Sequence, residues 1–213
     1  MTARSLCRLT AAAYSLLLLA AGAVEEGTDL FGSGDFSQWT DSSGKPVSDG
    51  WSIADGVLHR SGKTPEDIVT RKHYENFELT FEWKIAKGGN SGVKYRTRGS
   101  LGLEFQILDD GGGGNPLHRA GGLYELVAPD GRLLNPPGEW NASRIVAKRA
   151  HIEHWLNGKK VVSIDQDGED WKERFNRSKY KDSKGFGGWK GPILIQGYLA
   201  FPAWFRNVRV REL

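Results

Sequence analysis

The segment that most constrains the fold is Phe77–Ile85, which reads FELTFEWKI. Apolar residues occupy every second position, and glutamate, threonine or lysine fills each position between them. A period of two places the apolar side chains on one face of a β-strand, whereas a helix would scatter them around its circumference. The segment therefore predicts a strand with one face in a core and the other in polar surroundings.

Further segments of this kind follow along the chain, separated by glycine-rich turn signals. The clearest span residues 93–98, 102–108, 143–164, 191–200 and 204–213. The third divides into three short strands, and Asn157-Gly158 joins the last two, because this dipeptide favours a type I′ hairpin. About ten short strands without a long helical period predict one all-β domain over residues 24–213, a sandwich or jelly roll of antiparallel strands.

One segment departs from the strand pattern. DGEDWKERFNRSKY, at residues 167–180, places Trp171 and Phe175 four positions apart, the spacing of neighbours on one helix face. Asp167 is of a residue type that caps helix N-termini. We expect one short helix here, inside a long loop that covers one of the sheets.

The first 23 residues have the features of a secretory signal peptide. Arg4 and Arg8 precede an apolar run over residues 9–20, and the AGA at 21–23 has the small-residue pattern of a cleavage site. The apolar run is too short for a comfortable membrane span. We therefore expect a secreted or periplasmic protein with no membrane span once residues 1–23 are removed.

Removal of that segment leaves a chain without a large charge imbalance. It takes away two of the 29 basic residues and none of the 26 acidic ones, so the net charge becomes +1. Such a chain has no basic excess of the kind that binds nucleic acid. The single cysteine, Cys7, lies in the removed segment, so we expect neither a disulfide nor thiol chemistry.

A candidate site follows from the strand at Phe77–Ile85 and the two strands after it. If the three form an antiparallel meander, their polar faces align. That face would carry Glu78, Glu82, Lys84, Lys94, Arg96, Glu104 and Gln106. Asp109 and Asp110 follow the third strand, and His118 and Tyr124 lie in the loop beyond it. These groups suit an active site, although a solvated face of mixed charges has a similar composition.

His151 and His154 are three residues apart, a spacing that suits a metal site on a helix. In the predicted strand, however, positions of opposite parity face opposite sides of the sheet, so the two side chains cannot share an ion. We expect two ordinary strand residues.

Seven stretches of the sequence form an ordered set of motifs. They read LFGSGDFSQWT, WSIADGVLHRSG, NFELTFEWKIAKGGNSGVKYR, LGLEFQILDD, GGLYEL, PPGEWNASRIVAKRAHIEHWLNGKKV and FRNVRVREL. In this order they resemble the 3-keto-disaccharide hydrolase domain family, over about residues 29–213. The resemblance implies a concanavalin A-like jelly-roll β-sandwich, secretion, and an oligosaccharide or glycoside substrate that carries a ketone at C3.

The resemblance also implies a reaction. The C3 ketone acidifies the proton on C2, a base removes that proton, the enolate expels the C1 substituent, and water adds to the unsaturated ketone. Such a site needs a base, a group that stabilises the enolate, and an acid for the leaving group. We expect Glu104 to be the base, Lys94 to stabilise the enolate, and His118 or Tyr124 to be the acid.

Other side chains are expected to hold the substrate or a metal. The predicted substrate-binding residues are Gln106, Arg96, Asp109, Gln196 and Tyr198. The resemblance makes one divalent metal ion an expected cofactor, and no other cofactor is implied. Glu104, Asp109 and His118 have ligand atoms that suit such an ion.

The chain departs from the family near the end of its penultimate strand. Relatives usually read LQDHG there, whereas this chain reads IQGYL at residues 195–199. Gln196 matches, but Gly197 and Tyr198 replace an acidic residue and a histidine. Two hypotheses therefore stand side by side: an enzyme that cleaves 3-keto-glycosides, and a carbohydrate-binding sandwich without catalytic activity.

Overall fold

The computed structural model describes residues 27–61, 66–111, 113–198 and 201–213. The predicted signal peptide at 1–23 lies outside the described residues. Within them the strands are β1 Thr28–Asp29, β2 Trp39–Asp41, β3 Trp51–Ala54, β4 Val57–Arg60, β5 Ile68–Tyr74, β6 Phe77–Ile85, β7 Asn90–Arg98, β8 Leu101–Leu108, β9 Asn141–Lys148, β10 His151–Leu156, β11 Lys159–Asp165, β12 Gly191–Ile195 and β13 Ala203–Glu212. A short 3₁₀ helix spans Pro116–His118, and the helix α1 spans Glu169–Arg177.

The strands of this described part form two sheets. The first has the order β11-β10-β9-β6-β13-β4-β3, with β1 paired to β13 as an eighth strand, and the second has the order β2-β5-β12-β7-β8. The strand pairs are antiparallel. The predicted all-β sandwich is thereby confirmed.

The core lies between the two sheets. Phe77, Phe81 and the other apolar side chains of β6 are buried, as the alternation predicts. Phe81 meets Phe105 of β8 edge to face, with ring centroids 5.4 Å apart, and Phe77 meets Tyr95 of β7 at 5.8 Å. Aromatic contacts of this kind add to the free energy of area burial, so they join the sheets as well as fill the space.

The predicted meander of β6, β7 and β8 is wrong. β6 lies between β9 and β13 in the eight-stranded sheet, whereas β7 pairs with β8 and β12 in the other sheet. Glu78, Glu82 and Lys84 are therefore on the outer face of the opposite sheet from Glu104. Alternation in a strand fixes which side chains face the core, but it carries no information about which strand pairs with it.

The predicted hairpin and helix are both present. Asn157 and Gly158 have φ values of 48° and 81° and connect β10 to β11, in agreement with a type I′ turn. In α1 the rings of Trp171 and Phe175 stack with centroids 6.2 Å apart. The predicted cap is wrong: Gly168, not Asp167, occupies the N-cap, because the helix begins one residue later.

Among the described residues, no helix is both long and apolar enough to cross a membrane.

Candidate active site

A cleft of about 300 Å³ lies on the outer face of the five-stranded sheet, over β7 and β8. Six of the predicted site residues line it: Lys94, Glu104, Gln106, Tyr124, Gln196 and Tyr198. Asn90, Ser100, Leu101, Gly102, Lys179 and Tyr180 complete the lining. The structure therefore brings six of the predicted site residues together at one cleft, whereas Arg96, Asp109 and His118 lie elsewhere.

Glu104 is the most unusual group in the cleft. Its side chain is only 6% exposed, and Lys94 on the paired strand brings a cation to it, with Nζ 3.9 Å from Oε2. No hydrogen-bond donor among the described residues reaches the carboxylate. Burial disfavours the charged form and raises the pKa of Glu104 to about 7, against the smaller opposite effects of Lys94 and Lys179. A carboxyl group with a pKa near neutrality can take and return a proton.

Lys94 is held beside this carboxylate by its own hydrogen bond. Its Nζ donates to the carbonyl oxygen of Ser100 at 3.2 Å, and the side chain is 13% exposed. The register Lys94↔Glu104 places both side chains on the same face of the β7–β8 pair. The arrangement offers a cationic donor beside a carboxyl group that is protonated and deprotonated near neutral pH.

Tyr124 reaches the cleft because residues 121–124 run along the free edge of β8. Gly121 N donates to Gln106 O at 2.9 Å, Gln106 N donates to Gly122 O at 3.1 Å, and Tyr124 N donates to Glu104 O at 3.0 Å. Burial, together with the nearby Glu125 and Glu104 carboxylates, raises the pKa of the Tyr124 hydroxyl. A phenol with a raised pKa keeps its proton and can donate it.

His154 supports this edge from the core. Its ring is fully buried, with Nδ1 3.1 Å from Gly121 O and Nε2 2.8 Å from the Tyr95 hydroxyl. A carbonyl oxygen only accepts, so Nδ1 carries the proton and Nε2 accepts from Tyr95. Burial lowers the pKa of His154 to about 4, so the imidazole is neutral. His151 faces the other side of β10 at the surface, which agrees with the parity argument.

Lys179 and Tyr180 come from the segment that follows α1, and the sequence analysis missed both. Lys179 Nζ lies 4.4 Å from the centre of the Tyr124 ring and 3.6 Å from Glu125 Oε1. Tyr180 is buried, and burial with the neighbouring Glu104 raises the pKa of its hydroxyl. The prediction that the loop at residues 167–180 covers one of the sheets could have pointed to both residues.

The rim of the cleft carries the residues of the IQGYL stretch. Ser91 Oγ donates to Gln196 O at 2.8 Å, Arg60 Nη2 donates to Gly197 O at 3.0 Å, and Gly197 N donates to Asp67 Oδ1 at 2.9 Å. Tyr198 follows with 41% of its surface exposed. The rim is thus anchored through its backbone, which leaves the Tyr198 ring beside the opening.

Arg96, predicted to bind substrate, does not line the cleft. It has a left-handed φ of 49°, at an irregularity in the β7–β8 register between Tyr95 and Arg98. Its guanidinium is buried and donates to Glu75 O at 2.8 Å and to Gly187 O at 3.0 Å. The irregularity breaks the alternation after Lys94 and turns this side chain away, so Arg96 ties loops together.

Asp109 and His118 also lie outside the cleft lining. Asp109 Oδ2 accepts from Gly88 N at 2.7 Å, and His118 Nε2 lies 3.1 Å from Glu125 Oε1. The His118 ring stacks on Tyr124 with centroids 4.7 Å apart, so it touches the site through that ring. Asp109 follows the last residue of β8, where its carboxylate supports the turn before β7 instead of facing the cleft.

The predicted metal ligands are therefore not gathered around one point. Across the ranges that the structure describes, no group of three His, Cys, Asp or Glu side chains could hold a metal ion. Glu104, Asp109 and His118 each have different neighbours. The divalent cation stays a prediction that the arrangement of these three residues does not support.

Comparisons with known proteins cover most of the chain. The model of the 3-keto-alpha-glucoside-1,2-lyase-like domain family matches residues 26–211. A 3-keto-disaccharide hydrolase from Bacteroides thetaiotaomicron is 25% identical, over 86% of this chain and 77% of that protein.

Solved structures also match most of this chain. The crystal structure of a candidate glycosyl hydrolase from Parabacteroides distasonis is 34% identical, with a TM-score of 0.81, over 89% of this chain and 94% of that one. The carbohydrate-binding module CBM66 from Bacillus subtilis has a TM-score of 0.51 at 12% identity, over 83% of this chain and 97% of that one, and shows the fold alone. With the match over nearly all described residues, this chain belongs to the 3-keto-alpha-glucoside-1,2-lyase-like domain family.

Proposed function

We propose that this protein cleaves the glycosidic bond of 3-keto-glycosides by elimination followed by hydration. The observation that carries the proposal is the buried Glu104 carboxyl group in the cleft, with its pKa raised to about 7 and Lys94 Nζ 3.9 Å away. A base with such a pKa is partly deprotonated at neutral pH, and its conjugate acid can return the proton. The name of the Bacteroides relative supports the choice of a 3-keto substrate.

In this reaction Glu104 removes the proton from C2 of the 3-keto sugar. The electron pair of that C–H bond forms an enolate on the C3 oxygen, which Lys94 stabilises by its charge. The enolate re-forms the ketone as the C1–oxygen bond breaks, and Tyr124 donates its proton to the departing oxygen. Its raised pKa keeps the Tyr124 hydroxyl protonated for this step.

Hydration completes the hydrolysis. Water adds to C1 of the unsaturated ketone, one of its protons goes to the Tyr124 phenolate, and protonated Glu104 returns a proton to C2. Gln106 and Gln196 line the same cleft and suit hydrogen bonds to sugar hydroxyls. Two carboxylates at a fixed separation, as ordinary glycosidases use, are not required.

One assay tests the proposal directly. The purified chain is incubated with a 3-keto-disaccharide, and the released 3-keto-sugar is measured for wild type, Glu104→Gln and Glu78→Gln. Glu78 is the matched control, because it is also a strand carboxylate beside a cation, but it is half-buried and lies on the other sheet. We expect Glu104→Gln to lower turnover at least about 100-fold, in the range of general base catalysis, and Glu78→Gln to retain it. Equal activity of wild type and Glu104→Gln would remove Glu104 from the reaction.

A binding module without catalysis is the second candidate, and the rim of the cleft favours it. Tyr198 places an exposed aromatic ring where the family resemblance implies a histidine, and such rings stack on the apolar faces of sugars. In this case wild type binds the 3-keto-disaccharide without releasing product, and Tyr198→Ala abolishes the binding. Product release by wild type decides against this candidate.

The features of residues 1–23 further lead us to propose export of the protein to the periplasm or the medium. Cell fractionation with an antibody against the chain, together with N-terminal sequencing, tests both the location and cleavage after residue 23.

A further inference from the structure

A second depression lies on the outer face of the eight-stranded sheet, on the opposite side of the sandwich from the cleft. We call it the outer groove. Its volume is about 360 Å³, and the residues that matter for its chemistry are Thr80, Ala142, Arg144, Trp155, Asn207 and Arg209. They come from β6, β9, β10 and β13, four neighbouring strands of that sheet.

The outer groove exists because short side chains form its floor. Thr80 of β6 is paired with Arg144 of β9 on one side and with Arg209 of β13 on the other. Ala142 projects from β9 two residues before Arg144, on the same face. A short side chain flanked by long ones on both neighbouring strands leaves a trough across the sheet.

Trp155 forms one wall of the trough and is held in place. Its Nε1 donates to Glu153 Oε2 at 2.9 Å, and the Arg144 guanidinium lies 4.3 Å from the ring centre. Five of the eight tryptophans are buried in the core, whereas Trp155 is only half-buried and lines the groove. A fixed indole at the surface loses little conformational entropy when it packs against a ligand.

Asn207 forms part of the opposite wall through an irregularity in β13. It has a left-handed φ of 52°, and the register of β13 with β6 shifts between Arg206 and Arg209. A non-glycine residue is uncommon in this conformation and here marks a place where a strand re-aims a side chain. The Asn207 amide is exposed and donates to Glu82 Oε1 at 2.7 Å.

The charges around the groove largely pair with one another. Arg144 Nη1 lies 3.3 Å from Glu78, and Arg206 Nη2 lies 2.6 Å from Glu82. Paired charges do not favour an anionic ligand, but their remaining donors and acceptors suit hydroxyl groups. An aromatic wall facing planar amide, carboxylate and guanidinium groups matches a ring with apolar C–H faces and a polar edge.

We propose that the outer groove is a second carbohydrate-binding site, which takes a ring of a neutral oligosaccharide. The apolar face of the ring packs on Trp155, and its hydroxyls hydrogen-bond to Arg144, Asn207 and Arg209. Since this site lies on the other sheet from Glu104, it acts independently of the cleft.

Calorimetric titration of the purified chain with cellohexaose and with maltohexaose tests the proposal. We expect at least one of the two to bind wild type, and Trp155→Ala to weaken that binding at least about tenfold, the effect of about 1.4 kcal/mol. Trp204→Ala is the matched control, because Trp204 lies on the same face, stacked on His59, and does not line the groove. We expect it to bind like wild type.

Two further variants make the outcome decisive. Asn207→Gly keeps the left-handed backbone and removes the amide, so we expect weaker binding with an unchanged melting temperature. Tyr198→Ala removes the rim aromatic of the cleft, and we expect unchanged hexaose binding. Failure of both hexaoses to bind, full binding by Trp155→Ala, or loss of binding only in Tyr198→Ala would overturn the proposal.

Discussion

The Glu104 carboxylate of β8 lies directly against Gly92 of β7, beneath the cleft. A Cβ atom at position 92 would overlap Oε1 of Glu104, so the carboxylate lies where a side chain on the neighbouring strand would otherwise be. Lys94, two residues further along β7, flanks the same carboxylate on the other side. The missing side chain of Gly92 is therefore what allows Glu104 to be buried against the sheet.

Gly92→Ala tests this relationship. We expect the added methyl group to push the Glu104 carboxylate towards solvent, where its pKa falls and it becomes a weaker base. On the proposed function, kcat/KM for a 3-keto-disaccharide drops at least about tenfold, while the fold is retained because the obstacle is the end of a flexible side chain. Gly113→Ala is the control, since a Cβ atom at Gly113 would make only an ordinary contact, 3.8 Å from Asp110 O. Equal losses in both variants would contradict the role given to Gly92.

The pH dependence of activity follows from the same carboxyl group. Glu104 acts as a base only when deprotonated, and its pKa is raised to about 7. We expect kcat/KM to rise with pH through an apparent pKa near 7. Gly92→Ala should move this inflection to lower pH, because a more exposed carboxylate is better solvated. A profile that is flat between pH 5 and about 8 would argue against Glu104 as the base.

The free energy of unfolding should also depend on the protonation of Glu104, but it should fall as the pH rises, whereas the activity should increase. Its folded pKa lies above the ordinary value of 4.5, so between 4.5 and about 7 the folded state holds the proton more tightly. The stabilisation is complete below pH 4.5 and is lost as the pH rises through 7. In urea unfolding we expect Glu104→Gln to be more stable than wild type at pH 8, by up to about 3 kcal/mol, and similar at pH 4.5. A constant difference between the two proteins would contradict the linkage.

His154 should affect the free energy of unfolding in the direction opposite to Glu104, because its contribution to stability is lost as the pH falls. The two effects overlap between about pH 4.5 and 6.5. Burial lowers its pKa from 6.5 to about 4, so the unfolded chain takes up the proton first as the pH falls. The wild type loses stability between pH 6.5 and 4, by up to about 3 kcal/mol from this group. We expect His154→Gln, which carries no titratable group, to lack this acid-dependent loss. Because Glu104 opposes it, the effect is read from the difference between wild type and His154→Gln at each pH.

Gly197 limits how far the rim can be returned to the usual family sequence. A Cβ atom there would overlap the carbonyl oxygen of Glu66, which is backbone and cannot simply rotate away. We expect Gly197→Asp to lower the melting temperature and to disturb the rim, alone or combined with Tyr198→His. Tyr198→His alone should keep the melting temperature, because Tyr198 is exposed. A Gly197→Asp protein as stable as wild type would show that the rim can rearrange.

The sequence predicts the strands well because their signals are local. The alternation at Phe77–Ile85 assigns each of its side chains to the core or the outer face, and the Asn157-Gly158 dipeptide specifies a hairpin through positive φ. The motifs around Glu104 also identify the family. These features depend on residues that are close neighbours along the chain.

Only the tertiary structure decided which side chains meet. The pairing of β6 with β9 and β13 moved Glu78 and Glu82 to the far face, and the irregularity at Arg96 turned a predicted ligand of the substrate into a structural residue. Lys179 reaches Tyr124 from 55 positions further along the chain, through the loop after α1. A local pattern sets the direction of a side chain relative to its own strand. The partners across sheets and loops follow from packing of the whole chain, which no short segment encodes.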